Sequence, residues 1–238
     1  MPISDQPVIA ERSVYWNSRN GGHCASGVVS SASQWYLAEG ATDGGFETWV
    51  LIQNPNANDV TVDLTLMTDT GPQSPPDLQG FPMAANSRQS FNLGNYVTSF
   101  NVSTKVTSQG GDVIAERAMY WQDKLGGHDA HGLEYAKLKA FMAEGATAGG
   151  FETWVLLQNP GPSDAMVYIT YMTENGAVEK EPFGLAAGQR ISLNVVNDVG
   201  ETYDVSTQVY STAPVAVERS VYWNGKIGGT CSTGYSAW

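Results

Sequence analysis

Apolar and polar residues alternate along several short segments of the chain, which is the pattern of β-strands with one buried face. The clearest alternation lies in residues 60–68, and residues 165–173 show the same pattern. Residues 46–53 and 151–158 are apolar on both faces, which predicts central strands. Helical periodicity is weak and confined to residues 133–140. Further strands are predicted at residues 88–93, 102–108, 190–195 and 205–211.

Two sequence motifs recur along the chain. The first reads LAEGATDGGFETWVLIQNP at residues 37–55 and MAEGATAGGFETWVLLQNP at residues 142–160. The second, an ERxxYW element, occurs at residues 8–16, 113–121 and 215–223, and each copy is followed by a Gly-rich tail that begins with two glycines. The chain therefore contains two complete repeats and one additional copy of the closing element.

The repeat and the strand pattern together predict the fold. Six or seven short strands in about 100 residues, separated by turn signals, are typical of an immunoglobulin-like sandwich. We expect an all-β protein with two tandem immunoglobulin-like antiparallel β-sandwiches and an extra N-terminal strand element. The predicted boundaries are residues 1–34 for the extra element, 35–139 for the first sandwich and 140–238 for the second.

The order of these motifs resembles a bacterial extracellular family of immunoglobulin- or fibronectin-like β-sandwich repeats. The resemblance rests on AEGxTxGGFxTWxLxxNP, an alternating strand, and VxERxxYW with its GG tail, and it covers essentially the whole chain. It implies a module of an extracellular protein, and it carries no characterised activity.

The charge of the chain excludes some classes of partner. Asp and Glu number 24 against 12 Lys and Arg, which gives a net charge of −12. Nucleic-acid binding needs clustered cations, and these cations are scattered singly, so neither nucleic acid nor an anionic membrane is an expected partner. No apolar stretch is long enough for membrane insertion. Polar residues are mainly Ser, Thr, Asn, Gln and Gly, which favours an extracellular or cell-surface location.

Recurring acidic and basic residues suggest one kind of site. Glu39 with Glu47 has the composition of a glycosidase carboxylate pair, but no catalytic partner is identifiable by its spacing. The alternative is structural, because an arginine on an apolar strand face must be paired or must reach water. We expect ion pairs between the AEG glutamates and the arginines of the closing elements: Glu39, Glu144, Arg12, Arg117 and Arg219. No catalytic residue, metal site or cofactor is predicted, and the chain is expected not to be an enzyme.

Other polar and aromatic residues give weaker indications. The three histidines, His23, His128 and His131, lie in Gly-rich tails and are expected to face solvent. Asn101 is a candidate N-glycosylation acceptor, since it opens an Asn-Val-Ser sequon. Strand tryptophans and tyrosines are more often core than ligand platform, but they leave glycan binding open as an alternative.

Cys24 and Cys231 occupy equivalent tail positions and are candidates for a disulfide. A bond within one chain requires the units to fold back, because the α-carbons must lie within about 7 Å; otherwise Cys231 of one chain meets Cys24 of the next. The extra N-terminal strand needs a cover for its apolar face. That cover is either a neighbouring chain or the first repeat itself, in which case the orphan is the C-terminal copy. The assembly strand has its apolar face at Val8, Ala10, Val14 and Trp16.

These features lead to one functional expectation and one alternative. The chain is expected to be a structural or assembly module of an extracellular bacterial surface protein, self-associating head to tail by β-strand addition into a fibre or filament. The alternative is a carbohydrate-binding accessory module of a secreted protein.

Overall fold

The computed structural model describes residues 4–235, which are nearly all β-structure with antiparallel pairing. The N-terminal hairpin consists of β1 (Glu11–Trp16) and β2 (Gly21–Ser26), which pair only with each other. The two sandwiches follow, the first from Gln34 and the second from Lys137.

The first sandwich has nine strands in two sheets. They are β3 (Gln34–Leu37), β4 (Phe46–Asn54), β5 (Val60–Thr68), β6 (Gly71–Gln73), β7 (Phe81–Met83), β8 (Ser87–Asn92), β9 (Val102–Gln109), β10 (Ile114–Trp121) and β11 (Gly126–His131). One sheet has the order β11-β10-β4-β8, and the other has the order β3-β9-β5-β6 with β7 beside β5. Single turns of 3-10 helix lie at Pro76–Leu78 and Leu93–Asn95.

The second sandwich repeats this arrangement with seven strands in the described part of the chain. They are β12 (Lys137–Met142), β13 (Glu152–Gln158), β14 (Ala165–Thr173), β15 (Gly176–Leu185), β16 (Arg190–Asn194), β17 (Val205–Trp223) and β18 (Gly228–Thr233), with a one-turn helix α1 (Val196–Val199). Of these strands, β15 and β17 are the longest. β17 belongs to both sheets: its first part pairs with β14 and β12, and its last part pairs with β13 and β18.

The alternation of apolar residues is confirmed in the strands. In β5 the side chains of Val60, Val62, Leu64 and Leu66 are buried in the first core. The segments that are apolar on both faces form β4 and β13, and each of them lies between two neighbouring strands. Each sandwich has its own core, whose buried residues include Trp35, Leu37, Ile52 and Leu93 in the first and Val155, Leu157, Ile169 and Tyr171 in the second.

Two local features add to the sequence pattern. Residues 133–140, where the helical periodicity is weak, form no helix: β12 starts at Lys137, and its backbone pairs with β17. The extra N-terminal element is present as a hairpin whose first strand begins at Glu11. Val8 is 62% exposed and Ala10 is exposed as well, because the ladder ends where the Ala10 carbonyl accepts from the Gly27 amide. The apolar side of this strand is therefore limited to Val14 and Trp16.

Candidate functional site

Three copies of the ERxxYW element form three stacked hairpins. The N-terminal hairpin is followed by the middle hairpin (β10–β11) and by the C-terminal hairpin (residues 216–223 of β17 with β18). β2 lies against β11, and β11 lies against β18. The contact between the N-terminal hairpin and the first sandwich is called the first joint, and the contact between the two sandwiches is called the second joint.

Strand alternation gives each hairpin two different faces. In the N-terminal hairpin, Arg12 and Trp16 contact the middle hairpin, whereas Glu11 and Tyr15 lie on the outer face. The tail residues alternate in the same way: His128 faces the second joint, and its neighbour Asp129 faces the first. Each joint therefore brings the Arg-Trp face of one hairpin against the Glu-Tyr face of the next.

A tryptophan recognises the turn of the following hairpin at both joints. The indole Nε1 of Trp16 donates to the Lys124 carbonyl at 2.6 Å, and the Trp121 indole donates to the Lys226 carbonyl. Each indole also meets a tyrosine ring edge to face, Trp16 with Tyr120 and Trp121 with Tyr222. Such pairs stabilise by about 0.5–1.5 kcal/mol beyond the area that they bury.

The paired glycines of the tails allow this close approach. A Cβ on Gly126 or Gly228 would lie 2.2 Å from the indole of its own hairpin. A Cβ on Gly127 would lie 3.1 Å from the Trp16 ring, and one on Gly229 would lie 2.9 Å from the Trp121 ring. The first glycine thus accommodates the tryptophan of its own hairpin, and the second accommodates the tryptophan of the preceding hairpin.

The second joint contains a buried charged cluster around Arg117. Its guanidinium, which is fully buried, lies 3.1 Å from the Glu39 carboxylate and also pairs with Glu218 of the second sandwich. The Tyr222 hydroxyl donates to Glu39 at 2.7 Å, and Nε2 of His128 lies 3.3 Å from that hydroxyl. Two residues of the second sandwich are therefore bonded to charged side chains of the first.

Backbone groups of the first AEG loop (residues 38–40) complete the second joint. The amides of Ala38 and Glu39 donate to the Glu218 carboxylate at 3.1 and 3.3 Å. In the opposite direction, Arg190 donates to the Ala38 carbonyl at 3.1 Å and to the side-chain oxygen of Asn101 at 2.5 Å. These bonds satisfy buried groups that would be costly to leave without partners.

Burial and charge shift the pKa values of this cluster. Burial alone would raise the pKa of Glu39, but the nearby His128 and Arg117 outweigh it and hold that pKa well below its usual range. Burial, reinforced by the Glu39 charge, raises the pKa values of Tyr222 and Cys231 well above their usual ranges. Glu39 is therefore ionised at neutral pH, while the Tyr222 hydroxyl and the Cys231 thiol keep their protons.

The same cluster contains the residues with metal-ligand chemistry. Donor atoms of Glu39, Glu218 and Cys231 lie within 4.8 Å of one another. The Arg117 guanidinium pairs with both carboxylates and supplies the positive charge that a metal ion would bring. Arg117 thus offsets one of the two carboxylate charges.

The first joint repeats part of this network. Arg12 lies 2.5 Å from Glu116 and also pairs with Asp129. His23 lies 3.0 Å from the Asp129 carboxylate through Nδ1 and 3.2 Å from the Tyr120 hydroxyl through Nε2. Burial alone would raise the pKa of Asp129, but His23 and Arg12 lower it below its usual value.

A groove of about 700 Å³ lies beside the N-terminal hairpin at the first joint. Its walls include Leu51, Arg88 and Tyr120. At the second joint the counterparts of these residues, Leu156, Arg190 and Tyr222, face the first AEG loop and neighbouring residues of the first sandwich. At the first joint, therefore, a hairpin contacts the first sandwich. At the second joint, a hairpin and other parts of the first sandwich contact the second sandwich.

The structure pairs both AEG glutamates with an arginine of a closing element. Glu39 lies beside Arg117, and Glu144 lies 2.7 Å from Arg219. The interpretation is wrong for Arg12, which pairs with Glu116 and Asp129. The reason is that the Arg12 side chain faces the middle hairpin, which contributes both of these carboxylates.

Sequence reasoning missed the roles of the histidines and tyrosines at the joints. His23 and His128 were expected in solvent, yet their side chains are only 6% and 2% exposed. The Gly-rich tails in which they lie are strands β2 and β11 rather than loops. The tyrosine that recurs in all three ERxxYW elements was the available signal, because its regular spacing places it opposite the arginine face.

The cysteines and the candidate glycosylation site are also placed by the joints. Cys24 and Cys231 are both free thiols, exposed and buried respectively, and the middle hairpin lies between their two hairpins. Cys231 faces the second joint, where its sulfur lies 3.5 Å from the Glu218 carboxylate. Asn101 is half-buried at the second joint and bonded to Arg190.

Comparison with known sequences identifies a family. The model of a family of unknown function, DUF5719, matches residues 16–222, so the chain belongs to that family. No curated protein matches significantly. Within residues 4–235, none of the helices has the length and apolar character that a membrane span requires.

Similar solved structures are distant. The crystal structure of Thermotoga maritima 1070 is 20% identical, with a TM-score of 0.38, over 43% of this chain and 96% of that one. The Anabaena sensory rhodopsin transducer is 21% identical, with a TM-score of 0.31, over 34% of this chain and 91% of that one. A calcium-binding mutant of a Bacteroides uniformis β-glucuronidase is 9% identical, with a TM-score of 0.22, over 84% of this chain and 26% of that one. Scores this low carry no functional argument.

Proposed function

We propose that this DUF5719 protein is a structural module of an extracellular bacterial surface protein, whose β-sandwich units stack head to tail in a fibre. The observation that carries the proposal is that equivalent residues make the same contacts at both joints. Arg12 and Arg117 each pair with the hairpin glutamate of the next unit, and Trp16 and Trp121 each donate to the next turn.

The contact between successive units is of the head-to-tail kind from which a fibre can be built. One face of each unit meets a different face of the next, and a head-to-tail contact of this kind generates open arrays unless a rotation closes it. The contacts favour hairpin stacking over strand addition as the link, because the N-terminal hairpin meets its neighbour through side chains. Glu39 and Glu218, two of the buried carboxylates, are engaged by Arg117, which supports a structural role rather than an enzymatic one.

Small-angle X-ray scattering tests whether the second joint fixes the two sandwiches relative to each other. Wild-type protein should scatter as one rigid body. Trp121→Ala, which removes the indole bonded to Lys226, should give a larger radius of gyration while circular dichroism shows both sandwiches folded. Trp223→Ala is the matched control, because that indole belongs to the last hairpin. Wild-type scattering from two freely moving bodies would contradict the proposal.

A groove at the second joint supports glycan binding as a second candidate. Its volume is about 480 Å³, and its lining combines the aromatic residues Phe46, Phe100 and Trp154 with the charged residues Glu39 and Arg190. Aromatic faces and charged hydrogen-bonding groups are a combination suited to sugars. A glycan array followed by calorimetry tests it: binding should be lost in Trp154→Ala and kept in Trp49→Ala, its counterpart in the first sandwich. No binding of any glycan would rule this candidate out.

A further inference from the structure

The two ends of the hairpin stack carry complementary sets of residues. At one end, the outer face of the N-terminal hairpin presents Glu11, Tyr15 and Cys24, all exposed. At the other end, the C-terminal hairpin carries the half-buried Trp223 and Thr230 on the side away from the second joint. Arg219 lies on the same side; it is 6% exposed and pairs with the exposed Glu144 of the second AEG loop (residues 143–145). These are the residue types that meet inside the chain at the second joint.

We propose that the outer face of the N-terminal hairpin binds the C-terminal hairpin and second AEG loop of another copy of this chain. The inference rests on the proposed function and names its partner. The contact continues the series of joints, so the intermolecular joint has the same geometry as the two within the chain.

Residue equivalence specifies the contacts of this intermolecular joint. Arg219 of one copy pairs with Glu11 of the next, as Arg117 pairs with Glu218. The Trp223 indole donates to the Arg19 carbonyl, as the Trp16 indole donates to that of Lys124. The Tyr15 hydroxyl donates to Glu144, as the Tyr222 hydroxyl donates to Glu39. Each contact joins a residue of one copy to a residue of the other.

The turns of the hairpins share the backbone shape that the tryptophan contact requires. Arg19, Lys124 and Lys226 are each the third residue of a four-residue turn, with positive φ values of 70°, 64° and 66°. The first two residues of each turn are also left-handed. The Arg19 carbonyl is therefore presented on the N-terminal hairpin as the two bonded carbonyls are on theirs.

The exposure of the repeated tyrosine and of the AEG glutamate falls where a neighbouring unit covers them. Tyr15 is 64% exposed, Tyr120 is half-buried under the N-terminal hairpin, and Tyr222 is 6% exposed under the first sandwich. The Glu144 side chain is 69% exposed, against 3% for Glu39. The exposed residues at the two ends are thus the counterparts of those that a neighbouring unit buries within the chain.

The new joint differs from the other two in its area. Among residues 4–235, the N-terminal hairpin is a separate two-stranded sheet, so the contact with the partner is made through two strands. An interface of this size belongs to the weak, transient class. Self-association should therefore depend on concentration and decrease with salt, because Arg219 and Glu11 contribute an ion pair.

Chemical cross-linking tests this geometry. In the first joint His23 lies 3.0 Å from Asp129, and their counterparts in the intermolecular joint are Thr230 and Cys24. Thr230→Cys, treated with a short bis-maleimide, should therefore give a ladder of multimers through native Cys24. The same variant carrying Cys24→Ser should stay monomeric. Cys231 faces the second joint and is buried, so it contributes no link.

A charge-reversal variant provides a second test of the same contact. Glu11→Arg, at an exposed position, should reduce the multimer fraction at least about tenfold through like-charge repulsion with Arg219. Glu181→Arg, an equal change on the exposed edge strand β15, should leave it unchanged. A ladder that survives Cys24→Ser, or wild-type protein that sediments as a monomer at the highest soluble concentration, would overturn the inference. Rigid scattering of the monomer would still support the proposed function, so the two failures are distinguishable.

Discussion

The Tyr222 hydroxyl donates to the Glu39 carboxylate at 2.7 Å, so a strand of the second sandwich is bonded to the first AEG loop. The tyrosines at the equivalent positions have other surroundings: the Tyr120 hydroxyl is bonded to His23 and the Tyr120 ring contacts Trp16, whereas Tyr15 is exposed. The same position of the repeat therefore lies in the second joint at Tyr222, in the first joint at Tyr120 and on an exposed face at Tyr15. This series provides internal controls for measurements on the joints.

Removing the tyrosine hydroxyls should destabilise the chain in proportion to the cover at each position. Tyr222→Phe removes a hydrogen bond to a buried charge, a loss of about 1.5–3 kcal/mol, whereas Tyr120→Phe removes a neutral bond of about 0.5–1.5 kcal/mol. Tyr15→Phe should leave the free energy of unfolding unchanged. Urea unfolding of the three variants measures the order, and equal effects at all three positions would contradict it.

Replacing the central arginine of the second joint should be costly. Arg117→Met leaves the buried carboxylates of Glu39 and Glu218 without their cation, and breaking a buried pair in this way costs about 3–5 kcal/mol. Arg12→Met is the control, because the Arg12 side chain is 45% exposed and surface pairs contribute about 0–1 kcal/mol. Free energies of unfolding from guanidinium titrations compare the two. A smaller loss for Arg117→Met than for Arg12→Met would be inconsistent with the burial of the cluster.

Acid should destabilise the protein through Glu39. Because the pKa of Glu39 is lower in the folded chain than in the unfolded chain, the unfolded state binds a proton first as the pH falls. Stability from this group is therefore complete at neutral pH and declines below about pH 4.3, the usual pKa of a glutamate. Thermal unfolding between pH 7 and pH 3 measures the decline, which should be shallower in Glu39→Gln. An identical slope in that variant would show that other carboxylates cause it.

The two cysteines should differ strongly in reactivity. Cys24 is exposed, whereas Cys231 is buried and its pKa is raised by burial and by Glu39, so little thiolate is available for reaction. One equivalent of iodoacetamide should modify the native protein at Cys24, and the second thiol should react only after unfolding. Peptide mass spectrometry locates the label, and Cys24→Ser should abolish native labelling. Rapid native labelling at Cys231 would contradict the burial of the second joint.

The sequence predicts the sandwiches because both of its signals are local. Alternation in β5 and the two-sided apolar pattern of β4 reflect burial within one unit, and the repeat doubles each observation. The ion pair of Glu144 with Arg219 is of the same kind, since both residues belong to one sandwich. Such features can be predicted without knowing how the two sandwiches are oriented relative to each other.

The joints could not be predicted in the same way. Contacts such as Arg117 with Glu218 depend on which faces of two units meet, and strand periodicity within one unit does not determine that. The glycines of the tails indicated a loop, although they are strand residues whose missing side chains admit an indole ring. For this reason we expected His23 and His128 to face solvent. In the structure, each lies within hydrogen-bonding distance of a tyrosine hydroxyl of the next hairpin, His23 across the first joint and His128 across the second.

A double-mutant cycle on Arg117 and Glu218 tests most directly whether the second joint connects the two sandwiches. The free energies of unfolding of Arg117→Met, Glu218→Gln and the double variant give a coupling energy, and residues in contact couple by about 0.5–3 kcal/mol. The same cycle with Glu144→Gln, a glutamate at the other end of the second sandwich, should be additive. The account predicts a coupling of at least about 1 kcal/mol for the first pair. Additivity of Arg117→Met and Glu218→Gln within about 0.3–0.5 kcal/mol would contradict it.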